Sequence, residues 1–251
     1  MSAVIAPLLL SVLAPADCSG LERRLWEVAV RRFERTDAVT QYPADSVLFY
    51  GSSSIRLWKT IAEDMAPRPV IQRGYGGARL SDAVNFVDRV VTPHQFSALV
   101  IFIANDIDGR PNQPSPQRVG ELFGELLAKV RTHHPHEPVF WVEVTATPSR
   151  LDLWPMVQEA SELIRRQCDA DPNTHFVTTS DVFLAGGEPD ESLYRSDRLH
   201  LSAAGYAVWS GIIRRALGEQ DVPGRPRTPE PPNSLAAIVS EDEDAALDPA
   251  S

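Results

Sequence analysis

Short apolar runs alternate with amphipathic segments from about residue 21 to residue 217. The apolar runs predict five strands, at 46–50, 70–71, 98–103, 138–144 and around 176–177. Between them, apolar residues recur at helical spacing and predict helices over 21–36, 55–63, about 80–87, 116–131 and 156–168, with a last one ending near 217. The uninterrupted run at 98–103 is typical of a central strand buried on both faces. The alternation predicts an α/β fold: a doubly wound, five-stranded parallel sheet between layers of helices.

Serine, glycine and asparagine residues follow the first three predicted strands. The first strand breaks at Gly51 into three serines, the second opens into the glycine-rich run 74–77, and the third ends at 104–106. Because parallel strands present their carboxyl ends at one edge of a sheet, we expect Ser53, Gly77 and Asn105 to lie there together. Backbone N–H groups at such turns can bind an anion, which is what a nucleophilic serine needs when its reaction forms an oxyanion.

Each of these features also has an ordinary structural interpretation. Three hydroxyl residues before a helix are typical of N-capping. The glycine run is typical of a tight turn or of a phosphate loop, although it lacks the endings of a P-loop and of a dinucleotide fingerprint. Neither feature alone predicts an activity.

Asp197 and His200 are three residues apart, just before the last predicted helix. A nearby carboxylate can orient an imidazole and stabilise its charged form, which is the role of the acid in a catalytic triad. A surface histidine beside a capping aspartate would give the same pattern.

Charge and cysteine usage exclude several functional classes. The formal net charge is −10, and no cluster of lysines and arginines predicts a nucleic-acid or anionic-membrane surface. About half of the excess charge comes from residues 221–251, with seven acidic residues and two arginines. Two cysteines, Cys18 and Cys168, have no metal-site or redox spacing. The oligomeric state stays open.

His133, His134 and His136 form a histidine-rich stretch, but they predict no metal site. They follow a predicted helix beside Pro135, where imidazoles suit the helix dipole, and they lack the four-residue spacing of a helical ligand pair. The histidine-rich stretch therefore predicts no metal site.

The two ends of the chain differ from its centre, and we predict three parts: 1–19, 20–218 and 219–251. Residues 3–14 resemble the apolar part of a signal peptide but lack the usual positive start, so the first part is an N-terminal arm or a degenerate signal segment. We expect a cytoplasmic location, with export as the alternative. No stretch has the length of a membrane span. The last part is rich in proline and acids and predicts a disordered tail.

Taken together, four separated blocks resemble those of the SGNH, or GDSL-type, esterase/lipase family in order and approximate spacing. The blocks are Gly51-Ser52-Ser53, Arg73-Gly74-Tyr75-Gly76-Gly77, Ala104-Asn105-Asp106 and Asp197-Arg198-Leu199-His200. The resemblance covers about residues 45–217 and implies a flavodoxin-like three-layer α/β/α sandwich with five parallel strands. It also implies a serine esterase that needs no cofactor.

Carried over to this chain, the resemblance implies Ser53 as nucleophile, His200 as base and Asp197 as its acid. Ser53, Gly77 and Asn105 match the family's oxyanion hole. The resemblance spans acetylated carbohydrates, short aryl esters, phospholipids and thioesters. Because the sequence has no long apolar lid segment, we expect a small-molecule or carbohydrate ester with a short acyl group, acetyl included.

The sequence departs from the family pattern at two positions. Ser52 stands where the family usually has aspartate before the nucleophile, and Ile103 stands where it usually has glycine, which we expect to affect the loop that carries Asn105. The alternative function is therefore a non-catalytic carbohydrate- or lipid-binding module on a decayed site.

Overall fold

The computed structural model describes residues 18–218, and the predicted tail and most of the predicted N-terminal arm lie outside this range. The helices are α1 Cys18–Asp37, α2 Ser53–Arg56, α3 Ile61–Asp64, α4 Leu80–Val90, α5 Pro116–His133, α6 Trp154–Ala170, α7 Ser180–Phe183 and α8 Ala203–Ala216. The strands are β1 Val47–Gly51, β2 Val70–Gly74, β3 Ala98–Phe102, β4 Val139–Val142, β5 Thr174–Val177, β6 Leu184–Ala185 and β7 Glu188–Pro189. Within this range no helix combines the length and apolar character needed to cross a membrane.

Five of the strands form one parallel sheet in the order β2-β1-β3-β4-β5, and the predicted fold class is confirmed. The chain moves outward from β1 to β2 and then returns past β1 to β3. This reversal is a topological switch point, where open α/β sheets bind their ligands beyond the carboxyl ends of the strands. The segments after β1 and β3 therefore lie at the position where a site is expected.

Side chains of the sheet alternate between two apolar layers. Leu48 and Tyr50 of β1 join the layer with α1, α4, α5 and α6, whereas Val47 and Phe49 join the layer with α2, α3 and α8. This period of two results from the strand pleat, and it explains why a strand covered on both faces is apolar at every position.

The structure corrects the single helix predicted over 55–63. Two short helices, α2 and α3, stand in its place, and the break between them buries Trp58 completely against Tyr206 and Trp209 of α8. The Gln72 side-chain amide donates to the carbonyls of Ile55 and Trp58, which satisfies backbone acceptors that a continuous helix would use itself. Burial of the Trp58 indole thus interrupts the helix that the apolar periodicity predicts.

The small antiparallel hairpin β6–β7 was not predicted either. The hairpin consists of two strands of two residues each, joined by Gly186 and Gly187, which both have positive φ angles. Strands this short leave too little apolar alternation to be recognised from sequence.

Candidate active site

The turn after β1 holds Ser53 at the edge of the sheet. Gly51, the last residue of β1, pairs with β2 on one side and with β3 on the other. A Cβ added to Gly51 would be 2.0 Å from the Phe102 carbonyl oxygen, so no larger residue fits. The Ser52 N–H donates to that same oxygen at 3.0 Å. Ser53 then begins α2, so its backbone N–H has no carbonyl within the helix to bind. Ser53 is 7% exposed.

A second turn, just before α8, holds Asp197 and His200. Tyr194 and Leu201 pair as an antiparallel bridge, and the Arg195 N–H donates to the His200 carbonyl at 2.8 Å. Arg198 at the tip has a φ of 60°, in the left-handed region that non-glycine residues rarely adopt. These contacts place the Asp197 carboxylate and the His200 imidazole on the same side of the turn.

The structure places Asp197, His200 and Ser53 in one hydrogen-bonded series. The distance between Asp197 Oδ2 and His200 Nδ1 is 2.8 Å, and His200 Nε2 lies 2.9 Å from Ser53 Oγ. A carboxylate can only accept, so Nδ1 carries the ring hydrogen and Nε2 is free to accept from the Ser53 hydroxyl. This arrangement is able to remove a proton from Ser53.

Hydrogen bonds keep the carboxyl of Asp197 ionised. Partial burial alone would raise its pKa, but the backbone N–H groups of Leu199 and His200 and the His200 ring together lower the pKa below the usual aspartate value. Both N–H groups reach Oδ1 at 2.9 Å, which leaves Oδ2 for the imidazole. The acid is thus held in the charged form that stabilises an imidazolium.

Asn105 lies at the end of β3 and lines the same cleft as Ser53 and His200. Its amide nitrogen donates one hydrogen to the Ala78 carbonyl at 3.2 Å, and the residue is 5% exposed. An amide has two hydrogens, so the second remains for a ligand in the cleft.

Gly77 is buried with a φ of 66° and directly precedes Ala78, whose carbonyl accepts from the Asn105 amide. The structure therefore brings Ser53, Asn105, Asp197 and His200 together, with Gly77 one residue from the carbonyl that Asn105 contacts.

The glycine loop is held by contacts that motif spacing does not predict. The Tyr75 N–H donates to the Gly51 carbonyl, and the indole N–H of Trp26 in α1 donates to the Gly76 carbonyl at 2.7 Å. Both carboxyl oxygens of Asp106 accept from the Leu80 N–H at 3.1 Å, where α4 begins. Trp26 and Asp106 are supporting residues that sequence reasoning missed, because their partners are distant backbone groups.

Asp106 makes the stability of the fold depend on pH. Burial raises its pKa to about 7, although the Leu80 N–H and the Arg79 charge oppose this shift. Between about pH 4 and 7 the folded chain therefore keeps a proton that the unfolded chain loses, and the free energy of unfolding falls by about 1.4 kcal/mol per pH unit. This contribution is fully present below pH 4 and is lost as the pH rises through 7.

We expect Asp106→Asn, which cannot ionise, to gain stability relative to wild type by about 3 kcal/mol from pH 4.5 to 7.5. Urea unfolding at both pH values measures the difference, and Asp152→Asn on the surface controls for the loss of one charge. A constant difference between Asp106→Asn and wild type at the two pH values would contradict the raised pKa.

The cleft has a mixed wall. Ser53, Asn105 and His200 lie on it, and Thr145, Thr147 and Arg150 add hydroxyls and a guanidinium from the loop after β4. The other lining residues include Phe102, Ile107, Val144 and Val157. The wall of the cleft thus combines hydrogen-bonding groups with apolar side chains.

Sequence comparison identifies the family of the chain. The model of the GDSL-like lipase/acylhydrolase family matches residues 37–208, which include all four motif blocks. The chain belongs to this family. GDSL-like acylhydrolases hydrolyse carboxylic esters, and this protein is therefore a carboxylic ester hydrolase. No curated protein sequence matches it.

Solved structures share the GDSL fold at low sequence identity. A Streptococcus pneumonia protein whose name refers to platelet activating factor has a TM-score of 0.66 and 18% identity, covering 82% of this chain and 100% of its own. A GDSL-like lipase from Bacteroides thetaiotaomicron has a TM-score of 0.64 and 17% identity, covering 75% and 97%. An acetyl-xylooligosaccharide esterase from Geobacillus has a TM-score of 0.58 and 16% identity, covering 72% and 97%. Such likenesses establish the fold.

The two departures from the GDSL pattern stand next to residues that line the cleft. Ser52 is buried and lines the cleft beside Ser53. Ile103 is 2% exposed and packs in the apolar layer of α1, α4, α5 and α6, while Asn105 still lines the cleft. The side chain that replaces glycine therefore adds core contacts behind the loop.

The histidine-rich stretch has a structural role at His134. This ring is buried, lies 4.3 Å from the Phe96 ring, and has Nε2 3.3 Å from the Thr92 carbonyl oxygen. Among residues 18–218, no group of three or more His, Cys, Asp and Glu residues could hold a metal ion.

Proposed function

We propose that the protein is a serine esterase that hydrolyses esters of short acyl groups, acetyl included, through an acyl-enzyme. The observation that carries this proposal is the series of hydrogen bonds from Asp197 through His200 to Ser53, which ends in a cleft lined by Asn105. An acid, a base and a nucleophile in this geometry form the arrangement that activates serine in unrelated hydrolases.

In the first half of the reaction, Ser53 Oγ attacks the carbonyl carbon and its proton moves to His200 Nε2. Asp197 stabilises the resulting imidazolium through Nδ1. The carbonyl oxygen becomes an oxyanion, which accepts from the Asn105 amide and the Ser53 N–H, with the Gly77 N–H as the third donor that the family resemblance implies. The carbon–oxygen bond to the alcohol then breaks, and the alcohol leaves with the proton from Nε2.

In the second half, the same groups release the acid. His200, again neutral, takes a proton from water as its oxygen attacks the acyl-enzyme carbonyl. A second oxyanion forms in the same place and collapses, and Ser53 Oγ regains a proton from Nε2. Every proton moves between Ser53, His200, water and the substrate, so these residues complete the cycle themselves.

The polar wall of the cleft favours a hydroxylated alcohol as the leaving group. Thr147 lies on the loop after β4 and lines the cleft, and its hydroxyl can donate a hydrogen bond to a carbohydrate or accept one from it. Some structures with the same fold are acetyl-xylooligosaccharide and acetyl xylan esterases, at 16% and 18% identity. These two points support a carbohydrate acetate as one natural substrate class.

Release of p-nitrophenol from acetate, butyrate and octanoate esters tests the proposal, together with labelling by a fluorophosphonate. We expect turnover of the short esters and mass-spectrometric mapping of the label to Ser53, because only an activated serine reacts with this reagent. Acetylated xylooligosaccharides then test the carbohydrate class. Failure of both turnover and labelling would favour a non-catalytic binding module.

Asn105→Ala should lower kcat by two to three orders of magnitude, roughly the effect of one oxyanion-hole donor, with little change in KM. The reason is that the amide binds charge that develops only in the transition state. Steady-state kinetics with p-nitrophenyl butyrate measure the effect. Asn85→Ala on the exposed face of α4 is the matched control. An unchanged kcat in a folded Asn105→Ala protein would remove Asn105 from the oxyanion hole.

A further inference from the structure

A small cavity, which we call the side cavity, adjoins the cleft. The two spaces share the lining residues Ser54, Phe102, Thr145, Thr147 and Leu199. These shared residues are all half-buried, whereas the other lining residues of the side cavity are buried: Glu143, Thr179, Phe183, Tyr194, Leu201 and Trp209. The shared residues therefore form the mouth of the side cavity, and the buried ones form its inner wall.

Glu143 brings a carboxylate to the inner wall of the side cavity. The residue is 5% exposed. Its Oε2 accepts from the N–H groups of Thr179 and Ser180 at 2.8 and 2.9 Å. Its Oε1 accepts no hydrogen bond from any residue between 18 and 218. Because a buried carboxylate oxygen without a donor is costly, a group that donates a hydrogen bond inside the side cavity is favoured there.

The hydroxyl of Thr145 adds a second acceptor, at the mouth of the side cavity. Thr179 Oγ1 donates its hydrogen to the Glu143 carbonyl oxygen at 3.2 Å. A hydroxyl has only one hydrogen, so the hydrogen in the bond between the Thr145 and Thr179 hydroxyls comes from Thr145. The Thr145 oxygen can then only accept. The inner wall and the mouth therefore both offer an acceptor to a ligand that carries a donor.

The size of the side cavity limits what it can hold. It has room for only a few water-sized groups, and the rings of Phe102, Phe183 and Trp209 form part of its wall. A hydroxyl on one or two carbon atoms fits such a space, with the carbon atoms against the rings and the hydroxyl donating to Glu143. A whole sugar ring is too large, so the side cavity can take only the hydroxyl-bearing end of a larger molecule.

The geometry of the proposed reaction relates the side cavity to the alcohol half of the ester. The oxyanion lies at the Asn105 amide, whereas the leaving oxygen must lie near His200 Nε2, which gives it a proton. At the mouth of the side cavity, Leu199 directly precedes His200 and Ser54 directly follows Ser53. A substituent of the leaving alcohol is therefore the part of the substrate that lies nearest to this mouth.

We infer that the side cavity binds a hydroxyl group of the leaving alcohol, with Glu143 Oε1 as its acceptor. The substrate class is then an ester of a polyol or sugar that has a free hydroxyl close to the ester oxygen. This inference rests on the proposed function and names its alcohol. An alkyl ester of the same size leaves Oε1 without a donor and is expected to react more slowly.

Two pairs of acetates that differ only in a hydroxyl or a methyl group test the inference on the wild-type protein. They are 2-hydroxyethyl with propyl acetate, and 3-hydroxypropyl with butyl acetate, and release of acetate is followed by pH-stat titration. Hydroxide-catalysed hydrolysis of the same esters gives their intrinsic ratio of reactivity. We expect the enzyme's ratio of kcat/KM, hydroxyalkyl over alkyl, to exceed the intrinsic ratio by about tenfold in at least one pair, the effect of one hydrogen bond to a charged acceptor.

Glu143→Gln tests the assigned acceptor. The amide oxygen can still accept from the N–H groups of Thr179 and Ser180, while an uncharged NH₂ group takes the place of Oε1. We expect the hydroxyalkyl-over-alkyl ratio to fall by about fivefold, because a neutral hydrogen bond is weaker than a charge-assisted one. Glu188→Gln makes the same substitution at an exposed position on β7, and its ratio should equal that of wild type.

The outcomes separate this inference from the proposed function. A wild-type ratio equal to the intrinsic ratio in both pairs overturns the hydroxyl site, and this result needs no variant to fold. A ratio that folded Glu143→Gln protein leaves unchanged overturns it as well. In both cases hydrolysis of p-nitrophenyl acetate and fluorophosphonate labelling of Ser53 still support the proposed function. Absence of all hydrolysis and labelling in wild type overturns the proposed function, and the hydroxyl site with it.

Discussion

Ser53→Ala is expected to lower kcat for p-nitrophenyl butyrate by roughly five to six orders of magnitude, to the level of the remaining binding and oxyanion contacts. The hydroxyl is 2.9 Å from His200 Nε2, and no other nucleophile among the described residues occupies that position. Its removal takes away both the attacking atom and the covalent intermediate. Stopped-flow and long-time assays together cover this range, and the fluorophosphonate label should disappear from the variant.

Ser210→Ala is the matched control for this prediction. Ser210 is buried to nearly the same extent as Ser53, but its hydroxyl donates to the Ala207 carbonyl within α8, away from the cleft. We expect its activity to remain within about twofold of wild type, because a hydrogen bond of this kind affects stability by only about 1 kcal/mol. Equal activity of Ser53→Ala and wild type would show that hydrolysis occurs elsewhere.

The central part of the fold could be predicted from the sequence because its signals are local. The run at 98–103 is apolar at each position since both faces of β3 are covered, and the break at Gly51 marks a strand end that no side chain fits. Doubly wound topology then places the ends of β1 and β3 side by side. Local pattern and topology rules together are therefore enough to bring Ser53 and Asn105 to one edge of the sheet.

Features that depend on distant packing could not be predicted. Trp26 lies 50 positions from the Gly76 carbonyl that it contacts, and nothing in the helical pattern of α1 marks it. The break between α2 and α3 follows from the burial of Trp58 against α8, which begins only at Ala203.

Asp197→Asn is expected to lower kcat by about four orders of magnitude while the fold persists. The asparagine oxygen can still accept from the N–H groups of Leu199 and His200, so the turn keeps its shape. Its amide NH₂ would then face His200 Nδ1, which must become an acceptor. The ring hydrogen moves to Nε2, and the nitrogen facing Ser53 can no longer take a proton.

Kinetics and labelling together distinguish this tautomer effect from a loss of structure. The fluorophosphonate reaction of Ser53 should slow in parallel with kcat, with KM and the thermal unfolding midpoint close to wild type. Asp190→Asn, which keeps a capping oxygen for the Ser192 N–H, is the control outside the hydrogen-bonded series and should retain activity. If Asp197→Asn keeps the wild-type kcat, Asp197 serves only to hold the turn, and the imidazole of His200 is oriented without its charge.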